Sequence, residues 1–480
     1  MAKPANKPQS PKPPVISGGM FYKYLACPHW LYFDHFGDPK KKLPRNRFAD
    51  MLLEMGLLHE EEALKGLAHV EVNGATLKAR FAATLKLMRA GADRIHHGVL
   101  LAEGMAGEPD LLEKRTDGSS DLGSYYYVPV EIKSTERLTD AHRCQLSLYA
   151  DLLKEIQGTR PDQGYVLNGM GLRLEFEISE FEDQYLRLLS EIQAILNGTR
   201  PEPHLTSGCK QSPWFQECIK LAEKENDVAL LYNVKRKILN IMRESGLRHL
   251  EDARGLKPED FANSSRYLTP ELLERVALQA EAILTRRHFI REPFILPESP
   301  CEIFFDIEGD PLRQVEYLFG FLIRDAAGER YEKMLAERPE KEGHMWHEFL
   351  NWLEKLPAEY VVYHYGNYEQ TRLDMLERRH GGTPALEKFR IAMFDLNETV
   401  KHSVVLPLYF YGLKDIGTYI GCERSKKISG GGESVAFYED WLEKGDRQKL
   451  DAVIGYNQDD VIATRALKDW LNLEMKEHAK

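Results

Sequence analysis

The chain has 480 residues, 43% of them hydrophobic and 29% charged, which is typical of a globular protein with two or three domains. Its formal net charge of −11 argues against indiscriminate binding to nucleic acid, although local basic patches can still contact phosphates. No apolar run approaches the ~18 residues that cross a membrane. No signal peptide is evident, and the six cysteines do not have disulfide-scaffold spacing, so a cytoplasmic protein is expected.

The N-terminus is rich in proline and lysine, which predicts a disordered tail over residues 1–20. A first domain is expected over 21–220. It begins with an aromatic segment that contains Cys27, and helical periodicity follows over 46–68 and includes His59.

The most informative stretch of this domain is a predicted apolar strand whose last residues include Glu131 and Lys133. Alternate residues of a strand face the same way, so these two side chains share a face. Asp110 follows a Gly/Pro turn before this strand, which would bring it to the same point. Two carboxylates can hold a divalent cation, and a lysine beside it can orient a water molecule or stabilise a developing phosphate charge. Pro129 cannot donate to a sheet ladder and is expected at a bulge or a strand edge.

Gln145 and Tyr149 follow on a predicted helix, four residues apart and therefore on one side. This order of residues resembles the PD-(D/E)XK nucleases, in particular the RecB/AddB branch and the related nucleases of CRISPR adaptation. The resemblance implies a metal at Asp110 and Glu131 and a catalytic Lys133. It also implies that Gln145 supports DNA or the lysine, and that His59, as the upstream helical histidine of that branch, is a metal ligand.

Members of that branch often carry one N-terminal and three later cysteines that hold a 4Fe–4S cluster, and Cys27, Cys209 and Cys218 match three of these positions. The fourth position is Ser212, and a hydroxyl substitutes poorly for a thiolate. Three alternatives stay open: the cluster has been lost, it has three ligands, or another group completes it.

Residues 221–299 have a helical pattern and end in a proline-rich linker, which predicts a helical spacer. The turn at Gly246 loosely resembles a helix–hairpin–helix element that grips a sugar-phosphate backbone. A spacer that packs two domains together is the favoured interpretation, and the helix–hairpin–helix element is the alternative.

A second domain is expected over 300–480. Its first strand places Asp306 and Glu308 on one face, and three more strands and several helices are predicted after it. Tyr456 and Asp460 are four residues apart on a late helix and share a side. Asp459 would point about 100° away from Asp460 on that helix, toward the surface or a supporting position.

This pattern resembles the RNase H-like DEDD exonucleases, with the RNase D group and the YprB-type subfamily as the most similar. The resemblance implies two divalent metals bound by Asp306, Glu308, Glu369 and Asp460, with Tyr456 orienting the attacking water. Glu369 stands where many relatives have aspartate. Asp395 is its rival for that position and is predicted to be a helix cap.

The sequence therefore predicts an α/β protein with a restriction-endonuclease-like domain, a helical spacer and an RNase H-like domain. The expected function is hydrolysis of DNA, or of RNA, at two Mg²⁺- or Mn²⁺-dependent sites, in DNA repair or end processing. No Walker A loop is present, so any helicase partner would be a separate chain. One alternative is that only the second site works, in 3′ trimming of RNA or DNA. Another is a scaffold that binds nucleic-acid ends without cutting them.

Overall fold

The computed structural model describes residues 15–102, 104–168, 172–261, 265–425, 428 and 430–478. The described chain divides into two compact units. Unit 1 contains the described residues up to Arg45, Leu52–Pro203 and Gly208–Cys218, and unit 2 contains Asn46–Met51, His204–Ser207 and the described residues from Ile219 onward. The segment predicted as a spacer is thus part of unit 2. No described helix is both long enough and apolar enough to cross a membrane.

The helices of the N-terminal half are α1 Gly18–Ala26, α2 Pro28–Phe36, α3 Arg47–Leu64, α4 Leu77–Arg89, α5 Asp140–Gln157 and α6 Glu182–Leu196. Its strands are β1 Val70–Glu71, β2 Arg94–His96, β3 Leu100–Ala102, β4 Met105–Gly107, β5 Leu111–Arg115, β6 Tyr126–Ile132, β7 Gln163–Leu167 and β8 Arg173–Glu177. The prediction of a helix over 46–68 is confirmed by α3.

One sheet of unit 1 has the strand order β1-β2-β5-β6-β7-β8. The central strand β6 pairs antiparallel with β5 and parallel with β7. Helix α5 packs against β6 and contributes buried leucines to the core of the unit. Thr139 caps the start of α5 through His142, and Gly158 ends it with φ +74, a conformation that glycine adopts without steric cost.

Two expectations for unit 1 need correction. The predicted tail extends too far, because Ile16 is 4% exposed and bonds through its backbone to Gly104 and Ala106, and α1 begins at Gly18. Residues 1–14 lie outside the described residues. Pro129 lies inside the central strand β6, not at a bulge or edge. Its missing N–H is tolerated because the pairing of β6 with β7 begins only at Val130.

Helix α7 Phe215–Lys224 contains the division between the units. The later helices are α8 Arg236–Glu244, α9 Leu250–Arg254, α10 Pro270–Thr285, α11 Glu342–Leu353, α12 Tyr368–His380, α13 Pro384–Ile391, α14 Leu396–Ser403, α15 Leu413–Tyr419, α16 Gly431–Lys444 and α17 Arg447–His478. The later strands are β9 Phe289–Ile290, β10 Glu302–Asp310, β11 Val315–Asp325, β12 Gly328–Leu335, β13 Val361–His364, β14 Met393–Asp395 and β15 Val404–Val405.

The main sheet of unit 2 has the order β12-β11-β10-β13-β14. Its first three strands form an antiparallel meander, and β13 and β14 add in parallel beside β10. The sequence predicted β10 to β13 and the helix α11, and the structure confirms these elements. The long helix α17 packs across β10 and β11, so residues on one of its faces meet the side chains of β10. A bulge in β10 lies between Glu308 and Gly309.

Candidate metal centres

Three carboxylates of unit 2 converge between β10 and α17. Asp306 and Glu308 come from alternate positions of β10, and Asp460 comes from α17. Each offers one oxygen, and these oxygens all lie within 4.8 Å of one another. The structure therefore brings together three of the four acids that the sequence proposed for this site.

Two buried networks hold the carboxylates of β10. The Ser434 hydroxyl donates to Glu308 Oε2 at 2.9 Å, and the Tyr317 hydroxyl lies 3.0 Å from Ser434 Oγ. Asn457 Nδ2 donates to Asp306 Oδ2 at 2.7 Å. Sequence reasoning missed these supporting residues, because α16 and α17 reach β10 only through the packing of the domain.

Asp460 is held by neighbours of a different kind. Arg424 Nη2 donates to Asp460 Oδ1 at 2.6 Å, and Tyr456, one turn before Asp460 on α17, also donates to this carboxylate. The Arg424 guanidinium carbon lies 5.3 Å from the centroid of the Tyr456 ring. The prediction that Tyr456 and Asp460 share a helix face is confirmed.

The electrostatics of this group favour a bound cation. Burial, followed by the charge of Asp460, raises the pKa of both Asp306 and Glu308 well above the usual range. Burial also raises the pKa of Asp460, although Arg424 opposes this. Carboxylates so close together repel each other when ionised, and a divalent cation relieves that repulsion. A donor set made only of oxygen atoms suits Mg²⁺ or Mn²⁺.

The fourth predicted acid, Glu369, lies at the start of α12 and is 4% exposed. It is outside the set of three whose oxygens lie within 4.8 Å, but its charge contributes to the raised pKa of Asp306. Its Oε2 is buried, and its contact with His364 Nδ1 is long, at 3.5 Å. A buried carboxylate with one long contact beside the acid group fits a cation ligand.

Asp395 and Asp459 have other contacts. Asp395 Oδ1 accepts the backbone N–H groups of Asn397 and Gly366, both at 2.8 Å, so the prediction that Asp395 caps a helix is confirmed. Asp459 accepts the backbone N–H and the hydroxyl of Ser425.

In unit 1, Asp110 and Lys133 meet beside Glu131 at the end of β6. Asp110 Oδ2 accepts the backbone N–H of Ile132 at 2.6 Å and the Lys133 ammonium at 3.0 Å. Lys133 Nζ also lies 2.6 Å from Glu131 Oε2, while Glu131 Oε1 is buried without a hydrogen-bond partner among the described residues. The predicted convergence of these three side chains is thus present.

The pKa of Glu131 is strongly perturbed. Burial and the charge of Asp110 raise the pKa of Glu131 to about 8, against the opposing effect of Lys133. Burial lowers the pKa of Lys133, but the two acids outweigh it and raise that pKa overall. The site therefore holds one more carboxylate than its lysine neutralises, and this excess suits a divalent cation.

Gln145 and Tyr149 lie one turn apart on α5, as the sequence predicted. Gln145 Nε2 donates to the Tyr149 hydroxyl at 2.7 Å, and that hydroxyl donates to the backbone oxygen of Glu108 at 3.3 Å. A groove of about 760 Å³ is lined in part by Lys133, His142 and Gln145. Lys133 therefore lies at the wall of this groove.

His59 lies on α3, and its Nε2 is buried without a hydrogen-bond partner among the described residues. It is not part of a described group of three or more donor atoms that all lie within 4.8 Å. Its role as a ligand therefore stays a prediction.

Sequence reasoning missed a second donor group in unit 1. The rings of His96 and His97 stack with centroids 3.9 Å apart, and Nε2 of each lies 2.8 Å from Glu60 Oε1. Burial opposes protonation of His96, but Glu60 and Glu71 raise its pKa. The backbone N–H of His97 donates to Asp110 O at 3.1 Å, so this group adjoins the Asp110 site. The only sequence signal was the adjacent histidine pair.

The three cysteines of the predicted cluster are buried in unit 1. Cys27 lies between α1 and α2 and makes side-chain hydrogen bonds with Cys209 and Cys218. Ser212, at the fourth family position, is also buried, and its Oγ accepts the backbone N–H of Trp214 at 3.2 Å. These residues do not supply the four thiolates that a 4Fe–4S cluster ordinarily requires.

Residues 303–472 match a family model described as RNase_H superfamily. The matched segment is less than half of the chain. No match to a curated protein was found. The match extends from β10 to α17 and contains all four predicted acids of unit 2. The C-terminal domain is therefore RNase H-like.

An RNase H-like domain indicates a nuclease-type hydrolase with a nucleic-acid substrate. Such domains typically use Mg²⁺ or Mn²⁺, which agrees with the oxygen-only donor group of Asp306, Glu308 and Asp460.

Proposed function

We propose that the chain is a metal-dependent nuclease with two sites, and that the site of unit 2 is a 3′–5′ exonuclease of the DEDD type. The observation that carries this proposal is the set of three carboxylates from β10 and α17, whose oxygens lie within 4.8 Å of one another inside a segment that matches the RNase_H superfamily. Asp306, Glu308 and Asp460 hold the cations, and Glu369 completes the ligand set.

Two divalent cations at such a site supply Lewis-acid stabilisation of both the attacking and the leaving oxygen of an in-line displacement. The residues of the chain orient the water molecule and the carboxylates that hold the cations. Burial and the nearby carboxylates raise the pKa of Tyr456, so its phenol stays protonated. Its one O–H donates to Asp460, and its oxygen can accept a hydrogen bond from a water molecule and so orient it. Ser434 and Asn457 fix the orientation of Glu308 and Asp306.

The second part of the proposal is that unit 1 is a RecB-like PD-(D/E)XK nuclease. Asp110 and Glu131 hold its cation with His59, and Lys133 orients a water molecule or stabilises the developing phosphate charge. Gln145 contacts the substrate or keeps the lysine in place. The support is the ion-pair geometry of Asp110, Glu131 and Lys133, together with the groove beside Lys133 and Gln145. End processing in DNA repair, with a helicase on a separate chain, would suit two such sites.

One experiment separates this proposal from its alternatives. End-labelled single- and double-stranded DNA and RNA are digested in Mg²⁺ or Mn²⁺ by the wild-type chain, Asp110→Asn, Asp306→Asn and the double variant. Two sites predict that each single variant loses a different part of the product pattern, and that the double variant is inactive. If Asp306→Asn alone abolishes all cleavage, the chain is a 3′ trimmer with one working site. A wild-type chain that binds ends without cutting them would be a scaffold.

A further inference from the structure

The buried cysteine group of unit 1 contains a donor that the family pattern does not. Cys27 precedes α2, and His29 follows it by two residues in the first turn of that helix. The Sγ atoms of Cys27 and Cys218 and one ring nitrogen of His29 all lie within 4.8 Å of one another. Chain segments about 190 residues apart thus bring two sulfurs and one nitrogen to a single point.

Cys209 belongs to the same group. It forms a side-chain hydrogen bond with Cys27, although it is not among the three residues whose donor atoms are all within 4.8 Å. Cys27 is 3% exposed, His29 2%, Cys209 1% and Cys218 2%. With Cys209, the group offers three sulfurs and one imidazole nitrogen, all shielded from solvent.

Ser212 is not a competing ligand in this arrangement. Its hydroxyl oxygen accepts the Trp214 N–H, and the backbone N–H of Ser212 donates to Cys209 O at 2.9 Å. These bonds shape the turn that carries Cys209 toward Cys27. Ser212 therefore has a structural role, and His29 is the residue that stands where a fourth donor is needed.

We propose that Cys27, His29, Cys209 and Cys218 bind a single Zn²⁺ ion in place of an iron–sulfur cluster. Three thiolates and one imidazole form a recognised tetrahedral donor set for structural zinc. The burial of all four side chains leaves no position open to water, which is the mark of a structural and not a catalytic zinc site. The ion would tie the start of α2 to the 209–218 segment and so stabilise unit 1.

The proposal does not depend on nuclease activity, and metal analysis of the full-length chain tests it. The protein is purified without a histidine tag, in excess Mg²⁺ so that the carboxylate sites do not retain zinc. The expected result is one zinc per chain, no acid-labile sulfide and a colourless solution. Iron with sulfide and a brown colour would overturn the proposal, as would a chain that holds no metal and whose melting temperature is unchanged by a strong chelator.

X-ray absorption spectroscopy at the zinc edge identifies the ligand atoms in the wild-type protein, without any substitution. Three sulfur neighbours at about 2.3 Å and one nitrogen neighbour at about 2.0 Å are expected. A shell of four sulfurs, or one of nitrogen and oxygen alone, contradicts the assignment.

The variants His29→Ala and Cys218→Ala should lose the zinc and melt at a lower temperature. His35→Ala is the matched control, because His35 lies on the same helix, is exposed, and its Nδ1 lies 2.9 Å from the backbone oxygen of Leu31. It should retain the zinc. Full zinc occupancy and unchanged affinity in His29→Ala would exclude His29 as the fourth ligand.

Discussion

Asn457 Nδ2 donates to Asp306 twice, to the carboxylate Oδ2 at 2.7 Å and to the backbone oxygen at 3.2 Å. The amide oxygen of Asn457 accepts the Tyr331 hydroxyl at 2.8 Å, which fixes the orientation of the amide. Gly320 lies opposite Asp306 in the pairing of β10 with β11, and a Cβ atom at this glycine would overlap Asn457 Oδ1. The missing side chain at Gly320 is therefore what lets α17 reach the acid group.

The variant Gly320→Ala should lower the nuclease activity of unit 2 about 10- to 100-fold, although Gly320 binds neither metal nor substrate. The added methyl group displaces Asn457, and Asp306 then loses the amide that orients it. Overpacking should also destabilise the domain by about 1–3 kcal/mol. The measurement is the rate of Mn²⁺-dependent cleavage in an Asp110→Asn background, together with the melting temperature.

Gly455→Ala is the control for this prediction. Gly455 lies on α17, the helix that carries Asn457, and a Cβ atom there meets nothing within 4 Å. It should be as active as the parent and no less stable. Once Asn457→Ala has removed the amide, adding Gly320→Ala should cost little further activity. Additive losses from the two substitutions would contradict the mechanism.

Arg424 should compete with the metal for Asp460. Its guanidinium donates to Asp460 Oδ1 at 2.6 Å, and its Nη1 is buried without a hydrogen-bond partner among the described residues. Replacement of Arg424 by alanine removes a charge-assisted hydrogen bond that the cation would otherwise have to displace. We therefore expect Arg424→Ala to bind Mn²⁺ about tenfold more tightly in an Asp110→Asn background, as measured by the free Mn²⁺ signal in electron paramagnetic resonance.

Arg447→Ala provides the comparison, since this exposed arginine at the start of α17 pairs with Asp451 and Glu337 and not with the acid group. Its Mn²⁺ affinity should equal that of the parent. Weaker binding of Mn²⁺ in Arg424→Ala would mean that the arginine assists the cation site.

The stability of the metal-free protein should depend on pH through Glu131. Its pKa is about 8 in the folded chain, against an ordinary value of 4.5, so the unfolded chain releases this proton first as the pH rises. The stabilisation from protonated Glu131 is complete below about pH 4.5 and is lost by about pH 8. In EDTA, the melting temperature of the wild type should fall more across this window than that of Glu131→Gln, which cannot ionise.

Asp306 and Glu308 shift in the same direction, so only the difference between wild type and Glu131→Gln reports on Glu131. A divalent cation replaces the proton, and therefore added Mg²⁺ should stabilise the wild type more at the upper end of the window than at the lower end. Parallel melting curves for the two proteins in EDTA would refute the assigned pKa.

Gly107 should be intolerant of a side chain because of Tyr149. A Cβ atom at Gly107 would lie 2.6 Å from Tyr149 Cδ1 and 2.9 Å from Leu152 Cδ1, and both side chains are buried. Gly107→Ala is therefore expected to destabilise unit 1 by about 1–3 kcal/mol. It should also weaken the cleavage proposed for unit 1, since Tyr149 would shift away from Gln145.

Chemical denaturation, followed by the fluorescence of the chain, measures the stability change. Gly19→Ala is a suitable control: Gly19 lies in α1, and an added Cβ atom meets nothing within 4 Å. It should be neutral or slightly stabilising. Equal stability of the Gly107→Ala and Gly19→Ala proteins would show that β4 can move away from α5 at no cost.

Local periodicity was enough to determine which side chains could act together. The two-residue repeat of a strand put Asp306 and Glu308 on one face, and the helical repeat put Gln145 with Tyr149 and Tyr456 with Asp460. Asp395 was recognisable as a cap from its position at a helix start. Such relationships depend only on the repeat of the local strand or helix, so they hold whatever the packing of the rest of the chain.

The tertiary structure alone decided which distant residues support these groups. Nothing in the sequence near Asp306 points to Asn457 or to the missing side chain at Gly320. In the same way, no sequence pattern distinguishes His29 as a donor, and only the fold places it beside Cys218. The place of Pro129 inside a central strand depended on where the neighbouring strand begins to pair. The physical reason is common to all of these cases: contacts between residues far apart in the chain arise from the packing of whole elements, which no local pattern encodes.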